Sequence, residues 1–217
     1  MATARDYQGP RRGADRAVLL AHGAGADRHA PALRAVADAL EGAGIPSLRF
    51  DYPYREAGRR APDPPPVLAA ATLEAATALA RRCGLPPGRI VVGGRSMGGR
   101  VCSLLVAEGR LPALGLVCLG YPLHPAGRPE RRRVEHFGRI RVPCLFVSGT
   151  RDALAGWEAL AEAVRAIPAP VRLHGLEGAD HGFRTRRRDG RDVTEVLAEV
   201  ADTVTAWVLG LAEPGAP

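Results

Sequence analysis

Lysine is absent from the 217 residues, so all 30 basic side chains are arginine. A net charge of +7 ordinarily raises nucleic acid, membrane surfaces or acidic substrates as partners. Here the bias of a GC-rich genome, applied to a whole surface, accounts for it without any partner. No nucleic-acid-binding motif accompanies the charge, and no nucleic-acid partner is expected. Two local clusters stand out, at 131–133 and over Arg184, Arg186, Arg187 and Arg188. Cysteine is scarce, and Cys83, Cys102, Cys118 and Cys144 form no C-x-x-C pair. Three of them sit inside apolar stretches, where a thiol packs as a small hydrophobe. The histidines at 22, 29, 124, 136, 174 and 181 lack metal-ligand spacing, so neither a metal nor another cofactor is expected. Long apolar runs are missing too. The N-terminal region offers only about five consecutive apolar residues, too few for a secretory core or a membrane span, which predicts a cytoplasmic protein with no membrane partner.

What is present is ordinary globular material, 46% hydrophobic and 24% charged, with 26 glycines and 19 prolines that imply many short connections. One domain over 1–217 can bury roughly 70% of its unfolded surface and needs no staple. Apolar runs of strand length at 17–21, 45–50, 90–92, 114–119, 142–147 and 171–173 alternate with helical periodicity. This predicts a mostly parallel sheet of six to seven strands with helices on both faces. Leu33, Val36, Ala37 and Leu40 make one helical stripe, and Trp157, Leu160, Ala161 and Val164 a second. The longest joins Val193, Val196, Leu197, Val200, Val204, Trp207 and Val208. The prolines of 61–67 end at the start of a helix, where a missing N–H is harmless. The tail 211–217 is expected to fray.

The chemistry-bearing signal is G-x-S-x-G, read as Gly94, Arg95, Ser96, Met97 and Gly98, between the strand at 90–92 and a following helical pattern. Such a strand-to-helix turn strains the serine backbone and lifts its hydroxyl clear of the sheet. The amide of Met97, at the helix start, is placed to stabilise an oxyanion. A second donor is expected from the H-G-x-G turn after the first strand, by position Ala24 with Gly23 as the nearby alternative. His22 there reads as a turn-orienting residue. The acid should follow a late strand, and Asp152 does so after 142–147. The base should follow the next strand, which gives His181, 29 positions further on. The order Ser96, Asp152, His181 is one of the known chain orders of a nucleophile–base–acid triad. His174, within a strand, and Asp180, beside His181, read as structural.

These motifs resemble the dienelactone-hydrolase-like α/β-hydrolases through AHGAGAD, RFDYPY, GRSMGG, FVSGTRD and GADHGF, over about residues 18–207. The resemblance implies an α/β-hydrolase fold and the roles of nucleophile, acid and base for Ser96, Asp152 and His181. Through GGRSMGGR, GYPLHPAGRPE and VSGTRD the chain is also similar to the hydrolase-like domain of the third subunit of the NSL histone-acetylation complex and its small bacterial relatives. That similarity implies a branch in which a member serves as a complex subunit. The segment 120–134 occupies the position where many relatives insert a cap, but is too short for a full lid. Tyr121, His124 and Arg128 are candidates for the pocket wall, with a packed proline-rich turn as the equal alternative. Arg95 and the arginines at 184–188 could favour an anionic acyl substrate. The expected activity is hydrolysis of small esters, thioesters or lactones through an acyl-enzyme, with an acyltransferase or a non-catalytic interaction module as rivals.

Overall fold

Alternation of side chains along the strands decides the layers of this protein. The structure is a computed structural model that describes residues 5–212. Its seven strands are β1 (Arg5–Gln8), β2 (Ala17–Ala21), β3 (Ser47–Phe50), β4 (Ile90–Arg95), β5 (Gly115–Leu119), β6 (Cys144–Gly149) and β7 (Val171–Leu176). They form one sheet in the order β1-β3-β2-β4-β5-β6-β7. All neighbours run parallel except β1, which is antiparallel to β3. Leu19, Val92, Leu116, Cys118 and Phe146 point to one face, and Val18, Leu20, Val91, Val117, Leu145 and Val147 to the other. Both faces are apolar because helices cover both.

On the first face lie α3 (Pro65–Cys83), α4 (Met97–Ala107) and α5 (Trp157–Ala163); on the second lie α1 (Pro31–Gly42) and α6 (Val193–Leu209). A one-turn helix, α2 (Pro53–Glu56), follows β3. Leu33, Val36, Ala37 and Leu40 are fully buried on α1, as their spacing requires. The proline run ends at Pro66, the second residue of α3, and Gly84 closes that helix in the left-handed conformation. Asp192 and Glu195 cap the start of α6 reciprocally. The apolar face of α6 is narrower than its stripe. Val196, Val200, Val204 and Val208 are buried, whereas Val193, at the first turn, is exposed and Leu197 and Trp207 are half-buried.

Two further expectations change, and one strand is added to the six located in the sequence. The polar edge strand β1 has no apolar run to betray it. Strands β4, β6 and β7 extend two or three residues beyond the apolar runs at 90–92, 142–147 and 171–173, through glycines and polar residues near the site. The start of the tail is fastened, since Leu211 is buried and its carbonyl accepts a 2.9 Å hydrogen bond from the buried Arg16; residues 213–217 of that tail lie outside the described residues. Among the described residues, no helix is long and apolar enough to cross a membrane. The four cysteines are buried thiols.

Candidate active site

The carboxyl ends of β4, β6 and β7 converge at one end of the sheet, where ligands bind in folds of this topology. Strand β4 ends at Arg95 and α4 starts at Met97, leaving Ser96 to make the whole turn. Its backbone sits at φ 49°, ψ −111°, a conformation that costs a non-glycine residue of order 1–3 kcal/mol and persists only where neighbours enforce it. They do so here through the Ser96 N–H, bound to the Leu119 carbonyl at 2.9 Å, and the Ser96 carbonyl, bound by the Arg100 N–H at 3.1 Å. The glycines of the motif are required by contact. A β-carbon at Gly94 would lie 2.0 Å from the Ala21 carbonyl oxygen, and one at Gly98 2.4 Å from the same atom. Only a bare backbone lets α4 start so close to β2.

His181 faces this serine. Its Nε2 is 3.0 Å from Ser96 Oγ, and its Nδ1 is 2.7 Å from Asp152 Oδ2. The other carboxylate oxygen of Asp152 accepts the Leu154 N–H at 2.8 Å, and the Asp152 side chain is fully buried. With the imidazole neutral, Nδ1–H donates to Asp152, which leaves the Nε2 lone pair for the serine hydroxyl. The two loops that carry acid and base are laced together. The Arg151 N–H donates to the Ala179 carbonyl at 2.9 Å, and the Gly178 N–H to Thr150 Oγ1 at 2.9 Å. A β-carbon on Gly149 would come within 2.2 Å of the Ala179 carbonyl oxygen.

Asp180 and His174 are used structurally. Asp180 Oδ1 accepts the N–H groups of Gly182 and Arg184 at 2.8 and 3.0 Å, which folds the histidine loop into a tight turn. His174 lies on β7 with Nε2 2.7 Å from Glu199 Oε1. His22 is fully buried: its Nδ1 is 2.8 Å from the Gly23 carbonyl and its Nε2 accepts the Tyr52 N–H at 3.1 Å. Burial holds its pKa below the ordinary histidine value. The neutral ring, donating through Nδ1, clamps the turn that carries Gly23 and Ala24. Both residues line the same cavity as Ser96, and a β-carbon on Gly23 would touch Ser96 Cβ at 3.4 Å. Met97 occupies the first turn of α4, directly after the serine.

The cavity over Ser96 and His181 measures about 760 Å3. It is lined by small apolar groups of Ala24, Ala26, Ala30, Pro31 and Ala32, by Val193 and Leu197 of α6, and by a basic rim of Arg184, Arg187 and Arg191. Glu199 pairs with Arg191, whereas Arg184 and Arg187 have no carboxylate within ion-pair distance among the described residues. Arg95 lines the cavity, but its guanidinium points beneath it. There it donates to the Leu119 carbonyl at 3.0 Å and lies 4.3 Å from the centre of the Phe183 ring. Burial pulls its pKa down to about 10, with Asp152 and Asp180 opposing the shift.

Tyr121 and His124 are not brought to this cavity. The Tyr121 ring is buried against Phe137 and Phe146 and its hydroxyl donates to the Arg133 carbonyl at 2.7 Å, while His124 folds back onto the Pro125 carbonyl. Arg128 is exposed and absent from the wall. The packed proline-rich turn is therefore the reading that describes 120–134. Sequence reasoning overlooked Phe183. It is buried at φ 62° beneath Arg95, two residues after His181, and an aromatic residue so close to a candidate base was the available signal. It also overlooked the wall from the start of α1, because no motif marks a helix end that merely faces a cavity.

Residues 14–209 match the model of a family described as the alpha/beta hydrolase domain. Among solved structures, the chain is similar to dienelactone hydrolase from Anabaena variabilis, at 22% identity and a TM-score of 0.69 over 96% of this chain and 92% of that one. It is also similar to an α/β serine hydrolase without a lid from Xanthomonas campestris, at 18% identity and a TM-score of 0.67 over 98% and 90%. Curated relatives from two strains of Mycobacterium tuberculosis carry the name phosphoribosyl transferase. They are 30% identical over 204 residues, which cover 91% of this chain but only 42% of those proteins.

Proposed function

As the chain belongs to the α/β-hydrolase domain family, we propose that it is a serine hydrolase that cleaves small esters, thioesters or lactones through an acyl-enzyme. The observation that carries this reading is the continuous chain from Ser96 Oγ to His181 Nε2 at 3.0 Å and from His181 Nδ1 to Asp152 Oδ2 at 2.7 Å. Ser96 Oγ attacks the carbonyl carbon while His181 takes its proton. The N–H groups of Met97 and of Ala24 or Gly23 stabilise the oxyanion, and the proton passes to the leaving alcohol, thiol or lactone oxygen. Water then repeats the sequence and frees the acid. Asp152 orients the imidazole and stabilises its charged form.

The partner is a small acyl substrate, and the rim favours an anionic one. Arg184 and Arg187 carry that preference, because the Arg95 guanidinium is engaged with backbone carbonyls beneath the cavity. The apolar wall suits a short or cyclic acyl group. An acyltransferase would use the same groups with another acceptor, and adding alcohols or amines and measuring acylated products separates the two. An interaction module of the kind implied by resemblance to the NSL subunit needs none of the three aligned side chains, and the complete relay favours catalysis. We assign the phosphoribosyl transfer in the relatives' names to the part of those proteins that this chain does not span. The test is a panel of neutral and carboxylated esters, thioesters and lactones assayed with wild type and Ser96→Ala. Turnover lost in the variant supports the proposal, and turnover that survives it refutes it.

A further inference from the structure

A second basic cavity, sharing no lining residue with the one over Ser96, lies where the proline-rich segment meets α4. It measures about 550 Å3, and its charged lining comprises Arg100, Arg131, Arg132, Arg133, Glu130 and Glu135. We propose that it binds a phosphoryl group, as a phosphate monoester or diphosphate of a small molecule, at a site separate from the hydrolytic one.

Unpaired positive charge is the first support. Arg132 reaches Glu162 at 3.5 Å, but Arg100, Arg131 and Arg133 have no carboxylate within ion-pair distance among the described residues. The Arg100 Nε is buried without a hydrogen-bond partner. Like charges held together without an ion-paired carboxylate repel, and the fold accepts that repulsion here: burial and the positive charges of Arg100 and Arg131 lower the pKa of Arg133. A bound anion would relieve it.

Rigidity is the second support. The buried Tyr121 hydroxyl donates to the Arg133 carbonyl at 2.7 Å, and the Arg133 N–H donates to the Leu123 carbonyl at 2.7 Å. Arg100 is fixed on α4, where its carbonyl accepts Ser103 Oγ at 2.8 Å and that hydroxyl meets His136 Nε2 at 2.8 Å. The backbone of Arg100 and Arg133 is therefore set before a ligand arrives, which lowers the entropic cost of binding. The lining has two more positive than negative side chains, which matches a dianion. Guanidinium forks arriving from both the loop and the helix suit the several oxygens of a phosphoryl group better than the two of a carboxylate.

The test is calorimetric titration of the wild type with inorganic phosphate, pyrophosphate, glycerol 3-phosphate and sulfate at constant ionic strength, repeated on Arg100→Gln, Arg133→Gln and Arg187→Gln. Thermal unfolding of each variant verifies the fold. Saturable 1:1 binding of a phosphoryl ligand, weakened about tenfold or more in Arg100→Gln and Arg133→Gln and unchanged in Arg187→Gln, is expected from the loss of one charge-assisted contact. Tighter binding of glycerol 3-phosphate or pyrophosphate than of phosphate identifies the organic ester or the diphosphate as the ligand class. No saturable heat, equal binding by sulfate, or loss only in Arg187→Gln would overturn the site. Hydrolytic activity enters none of these readouts, so failure of the Ser96 proposal and failure of this one are distinguishable.

Discussion

Replacing Asp152 by asparagine should silence the site through a single misplaced proton. The two oxygens of Asp152 have different partners, the Leu154 N–H on Oδ1 and His181 Nδ1 on Oδ2. An asparagine must keep its carbonyl oxygen toward Leu154, because the opposite flip would set two donors against each other in a buried place. Its NH2 then faces His181 Nδ1, which must become the acceptor. The ring proton moves to Nε2, 3.0 Å from Ser96 Oγ, and the base can no longer take the serine proton. Loss of the correct tautomer lowers kcat by about ten-thousandfold in a triad of this kind, or about 5 kcal/mol of transition-state stabilisation. Stability should fall by only about 1–2 kcal/mol, since one charge-assisted hydrogen bond is lost while shape and packing stay. Steady-state hydrolysis of an activated acetate ester gives the rate, and urea unfolding gives the stability. An Asp152→Asn enzyme that keeps more than a tenth of wild-type kcat would refute the assigned geometry.

Other outcomes follow from the same coordinates. Gly98→Ala puts a methyl group 2.4 Å from the Ala21 carbonyl oxygen, and α4 must retreat from β2; a loss of about 2–4 kcal/mol in chemical unfolding is expected, and a shift under 1 kcal/mol would contradict the close approach. The buried His136 has its pKa lowered from 6.5 to about 4, chiefly by desolvation and then by Arg100. The unfolded chain therefore binds a proton that the folded one refuses. The stability tied to this histidine is complete above pH 6.5 and drains away as pH falls toward 4, at up to about 1.4 kcal/mol per pH unit. His136→Gln should flatten that part of the acid limb in stability measured from pH 7 to 4. Arg187→Gln should lower kcat/KM for carboxylated esters about tenfold relative to neutral ones. Equal effects on both classes would remove the rim from substrate selection.

The sequence made the interior and the aligned groups legible for one reason: both depend on local patterns. Apolar runs flanked by turns located six strands, and G-x-S-x-G is readable because strand, strained serine and helix occupy adjacent residues. Asp152 and His181 could be found because each follows a strand end. What stayed hidden depends on approach in space. β1 pairs through the backbone with β3, and Arg-Asp-Tyr-Gln carries no periodic signal. Tyr121 looked like a pocket residue by position along the chain, yet it faces Phe137 and Phe146, which only the packing reveals. Arg95 adjoins the nucleophile in sequence, but side chains alternate along a strand and its guanidinium lies beneath the site against Phe183. Separating Arg95 from the arginines at 184–188, with which the sequence grouped it, therefore required the three-dimensional structure.

The central claim, an activated nucleophile at Ser96, is tested most directly by intact mass after treatment with a fluorophosphonate, comparing wild type with Ser96→Ala. A single phosphonyl adduct on the wild type, absent from the folded variant, is the predicted result. A folded wild type that gains no adduct, or a Ser96→Ala protein that gains the same one, would contradict it.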